Sequence, residues 1–271
     1  MATALALVCL AALVVGAGGV ASGSSGPAQG ASAAQLLRRA FASGHEVRSG
    51  RIDLSLRVGG TSVRVRGPFE AGSKGRPARF DISLSTSGSG TSLDLGLVSA
   101  GGRAYLRLNG KAYDLGDAST LTSQASLSIV PSDIDARPWL KGPRIAGNVK
   151  VGGVQTVHVA SGVDTGKLLA GLDGALDKAG GLGAAVSGLD ADARRQVRKA
   201  ARNARVDLWI GRGDDVLRRL RLSAGGLSLD VTVSGVGEPQ DIAAPAGARP
   251  LSDAAGGLGA LLQGLTGASA T

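Results

Sequence analysis

Histidine is the side chain best suited to acid–base or metal chemistry near neutral pH, and this 271-residue sequence has two, His45 and His158. A histidine-dependent hydrolase needs a positioned nucleophile, and the sequence contains no G-x-S-x-G elbow and no oxyanion motif. Two histidines so distant in the chain are also a poor metal-ligand set. His158 alternates with Val157 and Val159. We interpret it as a polar residue on a strand, and we predict no catalytic residue, no metal site and no cofactor.

Three other patterns that resemble sites have simpler explanations. Asp214 and Asp215 follow Gly213 and precede an apolar strand pattern, which is typical of a hairpin turn. The Gly-rich residues 180–188 lack the Lys-Ser/Thr of a phosphate-binding loop and are interpreted as a linker. Cys9 is the one cysteine, so the chain after it can form neither a disulfide nor a thiolate metal site.

The charge of the chain favours anionic partners. Its net charge is +9, carried mainly by arginine. No aromatic platform or base-reading motif accompanies these basic residues, so we do not expect nucleic acid as a partner. Residues 190–205 predict a helix with four arginines on one face, which is either a solvated surface or a docking surface for the anionic headgroups of a membrane. These arginines are Arg194, Arg198, Arg202 and Arg205.

The N-terminal segment predicts export. Residues 5–15 form an apolar run of signal-peptide length, and small residues follow it up to Ala21. No basic residue precedes the run, and Ser22 stands where a bacterial lipoprotein carries its lipidated cysteine, which leaves a lipid anchor open. We therefore expect a leader over 1–22, a flexible tether over 23–31, one domain over 32–251 and a Gly/Leu-rich tail over 252–271 that is poorly ordered.

The domain itself has the pattern of an antiparallel sheet. From Ser49 onwards apolar residues alternate with polar ones, and Gly or Asn-Gly pairs separate the runs. Such strands bury one face, but alternation does not distinguish a core filled by side chains from a cavity filled by a ligand. The scarcity of aromatic residues and the 44 glycines favour an aliphatic cavity. Its candidate lining residues are Leu54, Leu56, Val63, Val65, Leu93, Leu95, Leu106 and Leu108.

Helical patterns flank and interrupt the strands. Residues 31–43 place Leu36, Leu37, Ala40 and Phe41 on one stripe, and a second helical pattern begins at Asp164. Its Leu168 and Leu172 are candidates for covering the cavity. Trp139 lies in a Pro-flanked loop, where it either plugs the end of a core or lines an entrance. Trp209 is out of phase with Leu208 and Ile210, which predicts that it lies on the outer face or at an edge.

Three stretches resemble a known family. They are GNVKVGGVQTVHVASGVDTGKLLAGL (147–172), VDLWIGRGDDVLRRLRL (206–222) and GEPQDIAAPAGARPL (237–251). In order and spacing they resemble the actinobacterial lipoproteins of the LppX and LprG type, which share a half-barrel fold with the lipoprotein carrier LolA. The resemblance implies an α+β fold, a curved half-barrel antiparallel sheet with helices covering its concave apolar face. It also implies binding of lipids or lipid-modified molecules and brings no catalytic residues.

The sequence thus predicts a non-catalytic protein that binds and carries acylated lipids or glycolipids at the outer face of the cytoplasmic membrane or in the cell envelope. A structural or interaction module of the envelope with a solid core is the alternative. A hydrolase that uses His158 is a third hypothesis, and the lack of its motifs makes it the weakest.

Overall fold

The computed structural model describes residues 32–41, 47–58, 60–73, 77–88, 91–118, 137–164, 166–167 and 203–254. Within these ranges the chain forms one helix of eight residues, α1 (Ala33–Ala40), two short 3-10 helices (Arg137–Trp139 and Leu251–Ala254) and twelve strands. The strands are β1 (Ser49–Val58), β2 (Thr61–Glu70), β3 (Arg79–Gly88), β4 (Thr91–Ala100), β5 (Arg103–Leu108), β6 (Lys111–Asp117), β7 (Leu140–Val151), β8 (Val154–Val163), β9 (Arg205–Gly211), β10 (Leu217–Ala224), β11 (Leu227–Ser234) and β12 (Arg249–Pro250).

Tight turns connect most neighbouring strands because the sequence supplies residues that accept positive φ angles. Asn109 and Gly110, between β5 and β6, have φ angles of 50° and 75°. Gly152 and Gly153, between β7 and β8, have φ angles of 55° and 82°. Two positive φ angles in succession give a turn whose twist matches that of the flanking strands. The hairpins that these dipeptides predict are therefore formed.

All strands belong to one open sheet in the order β12-β6-β5-β4-β3-β2-β1-β11-β10-β9-β8-β7. Every pairing is antiparallel except that of the two-residue β12 with β6. The pairing of β1 with β11 joins the strands of the first half to those of the second, with Leu54 opposite Val231. A sheet of this many twisted strands curls, so one face is concave. The predicted α+β class with an open antiparallel sheet is confirmed.

We call the face of the sheet that α1 covers the inner face. Ser32 caps the helix: its Oγ accepts a hydrogen bond from the Gln35 N–H at 3.2 Å, and Gln35 Oε1 accepts one from the Ser32 N–H at 2.9 Å. Leu36 and Leu37 of α1 are buried in one cluster with Leu54, and the same cluster includes apolar residues of β8 to β11. The helical stripe predicted from the sequence thus packs on the sheet.

An ion pair fixes α1 to a distant turn. Arg39 donates from Nε to Asp215 Oδ2 at 2.7 Å, and the side chain of Asp215 is almost fully buried. Asp215 lies in the turn between β9 and β10, where its φ angle is 52°. The two carboxylates interpreted as turn residues are therefore in a turn, and one of them also anchors the helix.

The opposite, outer face carries a smaller core. Residues 235–248, which we call the C-terminal strap, follow β11 along this face. Ile242 of the strap is buried against Val98, Ala100 and Tyr105. The Gln240 N–H donates to Glu70 Oε1 at 3.0 Å, and Arg79 donates to the Ile242 carbonyl oxygen at 2.7 Å. These contacts hold the strap across the first half of the sheet.

The described residues contain no helix that is both long and apolar enough to cross a membrane. The predicted helix over 190–205 lies outside the described residues up to Arg202, and so does the helical pattern after Lys167. The predicted end of the helix over 190–205 is wrong, because Arg205 is the first residue of strand β9 and does not belong to a helix. The leader, the tether and the tail beyond Ala254 lie outside them as well.

Candidate functional site

A continuous set of half-buried aliphatic side chains lies on the inner face of β2 to β5. We call it the aliphatic surface; its members are Val65, Ile82, Leu84, Leu95, Leu97 and Leu106. In one row Val65 is opposite Leu84, which is opposite Leu95. In the next row Ile82, Leu97 and Leu106 are opposite one another. Directly opposed side chains are neighbours on one face, so these residues form a single apolar patch.

The inner face behaves differently on β1 and β9. There Leu54, Leu208 and Ile210 are 2%, 0% and 0% exposed, beneath or beside α1. The side chains of the aliphatic surface continue the same rows but remain half-buried. These two rows are thus fully buried on β1 and β9, whereas on β2 to β5 their aliphatic side chains keep contact with solvent.

The predicted lining residues differ in their burial. Leu54, Leu56 and Val63 are buried in the cluster that includes α1. Val65, Leu95 and Leu106 belong to the aliphatic surface, and Leu108 is buried beside Tyr113. Leu93 is opposite Thr86 in the pairing of β3 with β4. Contact of these residues with a ligand stays a prediction.

The remaining predicted site residues are scattered. Trp139 is half-buried in the 3-10 helix that precedes β7, and Arg205 is exposed at the start of β9. Leu168, Leu172, Arg194, Arg198 and Arg202 lie outside the described residues. Three members of the aliphatic surface, Ile82, Leu84 and Leu97, were not among the candidates, although the same alternation marks them as apolar-face residues.

On the outer face, aromatic and charged side chains of β8 to β11 form one connected group. The rings of His158 and Trp209 stack with centroids 4.6 Å apart, and His158 Nε2 is 2.7 Å from Asp207 Oδ1. The Arg219 guanidinium lies 5.0 Å from the centre of the Trp209 ring. Trp209 is consequently only 8% exposed although it lies on the outer face, as its alternation predicts.

The Asp230 carboxylate pairs with two arginines of this group, Arg219 and Arg221. It accepts from Arg219 Nε at 2.8 Å and from Arg221 Nε at 3.0 Å. Burial raises the pKa of Asp230, but the hydrogen bonds from Arg219 and Arg221 lower it by more, so this pKa lies below its usual value. Such a pairing stabilises the face and presents no free base.

Across the described residues, no group of three or more histidine, cysteine or acidic side chains could hold a metal ion.

No family model and no curated protein matches the sequence. Solved structures do show likeness. LprF from Mycobacterium bovis is 17% identical with a TM-score of 0.45, over 79% of this chain and 97% of that one. The lipoprotein LppX from Mycobacterium tuberculosis is 13% identical with a TM-score of 0.40, over 72% and 90%. A LolA superfamily protein from Nitrosomonas europaea is 8% identical with a TM-score of 0.23, over 79% and 96%. LppX is of the lipoprotein type that the three sequence stretches resemble.

Proposed function

We propose that this protein binds the acyl chains of lipids or glycolipids on the inner face of its sheet and carries them, without catalysis, outside the cytoplasmic membrane. The observation that carries the proposal is the aliphatic surface of β2 to β5. Its side chains are aliphatic, contiguous and only half-buried, while the same rows are fully buried on β1 and β9. A contiguous apolar patch that keeps contact with solvent is typical of a binding surface.

The chemistry of the patch suits a hydrocarbon chain. Each methylene that leaves water gains about 0.8 kcal/mol, so a chain lying along several side chains gains enough for stable binding. Few polar groups share this face: Thr86 lies beside the patch, and the Ser99 hydroxyl already donates to the Ala78 carbonyl oxygen at 2.6 Å. Selection among lipids would therefore follow chain length and shape more than hydrogen bonding.

Chain connectivity supports a cover supplied by residues 165–204. β8 and β9 are adjacent antiparallel strands with Gly162 opposite Arg205, so the connection leaves and returns at the same end of the pair. A simple hairpin needs only about two to five residues there. We propose that the excess chain covers the aliphatic surface with Leu168 and Leu172. Arg194, Arg198, Arg202 and Arg205 would meet the anionic headgroup or a membrane surface, and Trp139 would lie at the entrance.

The proposal is tested by lipid retention and by a matched pair of variants. Native mass spectrometry of protein purified from its host should detect a bound lipid. Leu84→Asn places an amide in the aliphatic surface, whereas Ser85→Asn places the same amide on the outer face of the same strand. We expect Leu84→Asn to weaken binding of a fluorescent fatty acid by roughly tenfold or more, and Ser85→Asn to leave it unchanged.

Circular dichroism of both variants checks that the sheet is retained. A native protein that carries no lipid and binds no fluorescent fatty acid would contradict the proposal and favour a structural module with a solid core. Equal loss in the two variants would also contradict it, because binding would then not depend on the inner face.

A further inference from the structure

A depression of about 400 Å³ lies on the outer face of the sheet, across β11, β1, β2 and β3. Its floor contains Gly67 and Pro68 of β2. Gly67 has a φ angle of 150°, and a Cβ atom there would lie 1.8 Å from the Asp81 carbonyl oxygen, so only glycine fits. Pro68, which is opposite Arg51, has no N–H to donate. The pairing of β2 with β3 is interrupted here, between Arg66 opposite Ser83 and Phe69 opposite Phe80.

Basic and hydroxyl side chains surround this depression, which we call the outer-face groove. Arg51 and Arg66 line it, together with Ser83, Thr232 and Ser234. Asp53 and Asp81 also border it, but arginines from outside the groove pair with both carboxylates. Arg64 donates to Asp53 at 3.3 and 3.4 Å, and Arg107 donates to Asp81. Each acidic residue of the groove therefore has an arginine partner of its own.

The guanidinium groups of Arg51 and Arg66 differ from these carboxylates. Neither Arg51 nor Arg66 has an ion-pair partner within the part of the chain that the structure describes. Arg66 is directly opposite Asp53, yet that carboxylate bonds to Arg64. Guanidinium groups match the geometry of phosphate and carboxylate, to which they can donate two parallel hydrogen bonds. The hydroxyl groups of Thr232 and Ser234 can donate to the remaining oxygens of such an anion, whereas the Ser83 hydroxyl already donates to the Arg66 carbonyl oxygen at 3.2 Å.

We propose that the outer-face groove binds an anionic group, a phosphate or a carboxylate, through Arg51 and Arg66. Its volume is of the size that small-molecule sites have. The source of the anion is a lipid headgroup or a free small anion, which share this chemistry. The groove lies on the face opposite to the aliphatic surface, so it is a second site and does not depend on acyl-chain binding.

Titration with inorganic phosphate tests the groove, using two variants and nuclear magnetic resonance of the backbone amides. In the native protein we expect phosphate to shift the amide signals of Gly67 and its neighbours. Arg51→Ser with Arg66→Ser should weaken phosphate binding by roughly tenfold or more. Arg57→Ser is the matched control, because Arg57 is an exposed arginine of the same strand and face that does not line the groove.

A second titration uses vesicles of phosphatidylglycerol in phosphatidylcholine, with pure phosphatidylcholine as the blank. Binding that phosphate displaces and that the double variant loses assigns the groove to a headgroup. Phosphate binding without vesicle binding assigns it to a free anion. The proposal is overturned if phosphate shifts no signals near Gly67, or if Arg57→Ser weakens binding as much as the double variant does. If the double variant does not fold, Arg66→Ser alone repeats the test: phosphate binding should weaken, and unchanged binding would overturn the proposal.

Discussion

At the scale of single residues, the outer face is organised by contacts between side chains that the sequence alone does not predict. Trp209 is covered by His158 on one side and by arginines of the next strand on the other. Its ring is therefore buried although it points away from the main core. His158, the residue that could have suggested catalysis, stacks on Trp209 and contacts Asp207. Stacking on Trp209 and the polar contact with Asp207 are sufficient to explain why a histidine occupies this position.

Replacing Asp230 tests the same group of residues. Because the pKa of Asp230 is lowered in the folded protein, its contribution to stability is present above the unfolded-state pKa and is lost as pH falls through the folded pKa. Asp230→Asn should therefore lower the free energy of unfolding by about 1 kcal/mol near neutral pH, since the pair is partly exposed to solvent. The difference should shrink as pH falls below about 4, where the carboxylate of the unfolded chain gains a proton first, and it should vanish once the folded carboxylate is protonated as well.

Urea unfolding at the two pH values measures this effect. Asp94→Asn serves as the control, because Asp94 is exposed and the described residues supply it with no ion-pair partner. A difference that persists unchanged at acid pH would show that charge pairing is not the cause.

At the scale of elements, the composition of the C-terminal strap does not indicate its structural role. It contains several Gly, Ala and Pro residues and forms neither a helix nor a long strand. Nevertheless its backbone is bonded to Glu70 and Arg79, which bond to each other at 2.8 Å. Ile242 provides the apolar anchor and is 4% exposed. The strap thereby covers Val98 and Tyr105, which would otherwise be apolar residues on the outer face.

Shortening the Ile242 side chain should detach the strap. We expect Ile242→Ala to lower the free energy of unfolding by about 2–3 kcal/mol, and Ile242→Val to lower it by about 1 kcal/mol, as the buried volume lost predicts. Hydrogen exchange should accelerate at Gln240 and Ile242 before it accelerates in β1. If Ile242→Ala is as stable as the native protein, the strap contributes nothing to the fold.

At the scale of the whole molecule, one strand pairing joins the two halves of the sheet. β2 to β6 reach the strands of the second half through β1, which pairs with β11. Leu54 lies at this junction, opposite both Val65 and Val231, and is 2% exposed. The cluster beneath it extends from Phe80 of β3 to Val159 of β8. We therefore expect the two halves to unfold together.

Leu54→Ala tests this cooperativity. It should lower the free energy of unfolding by about 3 kcal/mol, whereas Ser55→Ala, on the outer face of the same strand, should change it by less than about 0.5 kcal/mol. In a Trp139→Phe background, Trp209 fluorescence reports on β9 and circular dichroism reports on all strands. The two signals should change at one urea concentration in every variant; separate transitions would mean that the halves are independent.

Much of the sheet could be predicted because alternation depends only on local backbone geometry. Successive side chains of a strand point to opposite faces, so Leu54 and Leu56 were assigned to one face with Val63 and Val65 without knowledge of their partners. The same reasoning marked Trp209 and His158 as outer-face residues. The turn residues Asn109-Gly110 and Asp214-Asp215 followed from their backbone preferences.

The strands, their apolar face and the resemblance to a lipoprotein family therefore follow from the sequence alone. Which part of that face is buried follows only from the fold, because burial depends on where α1 packs, and the residues of β8 to β11 in its cluster are distant from α1 in sequence. The fold likewise decided that Ile82, Leu84 and Leu97 join Val65, Leu95 and Leu106 in the aliphatic surface. The outer-face groove, finally, exists only because the registers of β11, β1, β2 and β3 bring Arg51 and Arg66 together above Gly67 and Pro68.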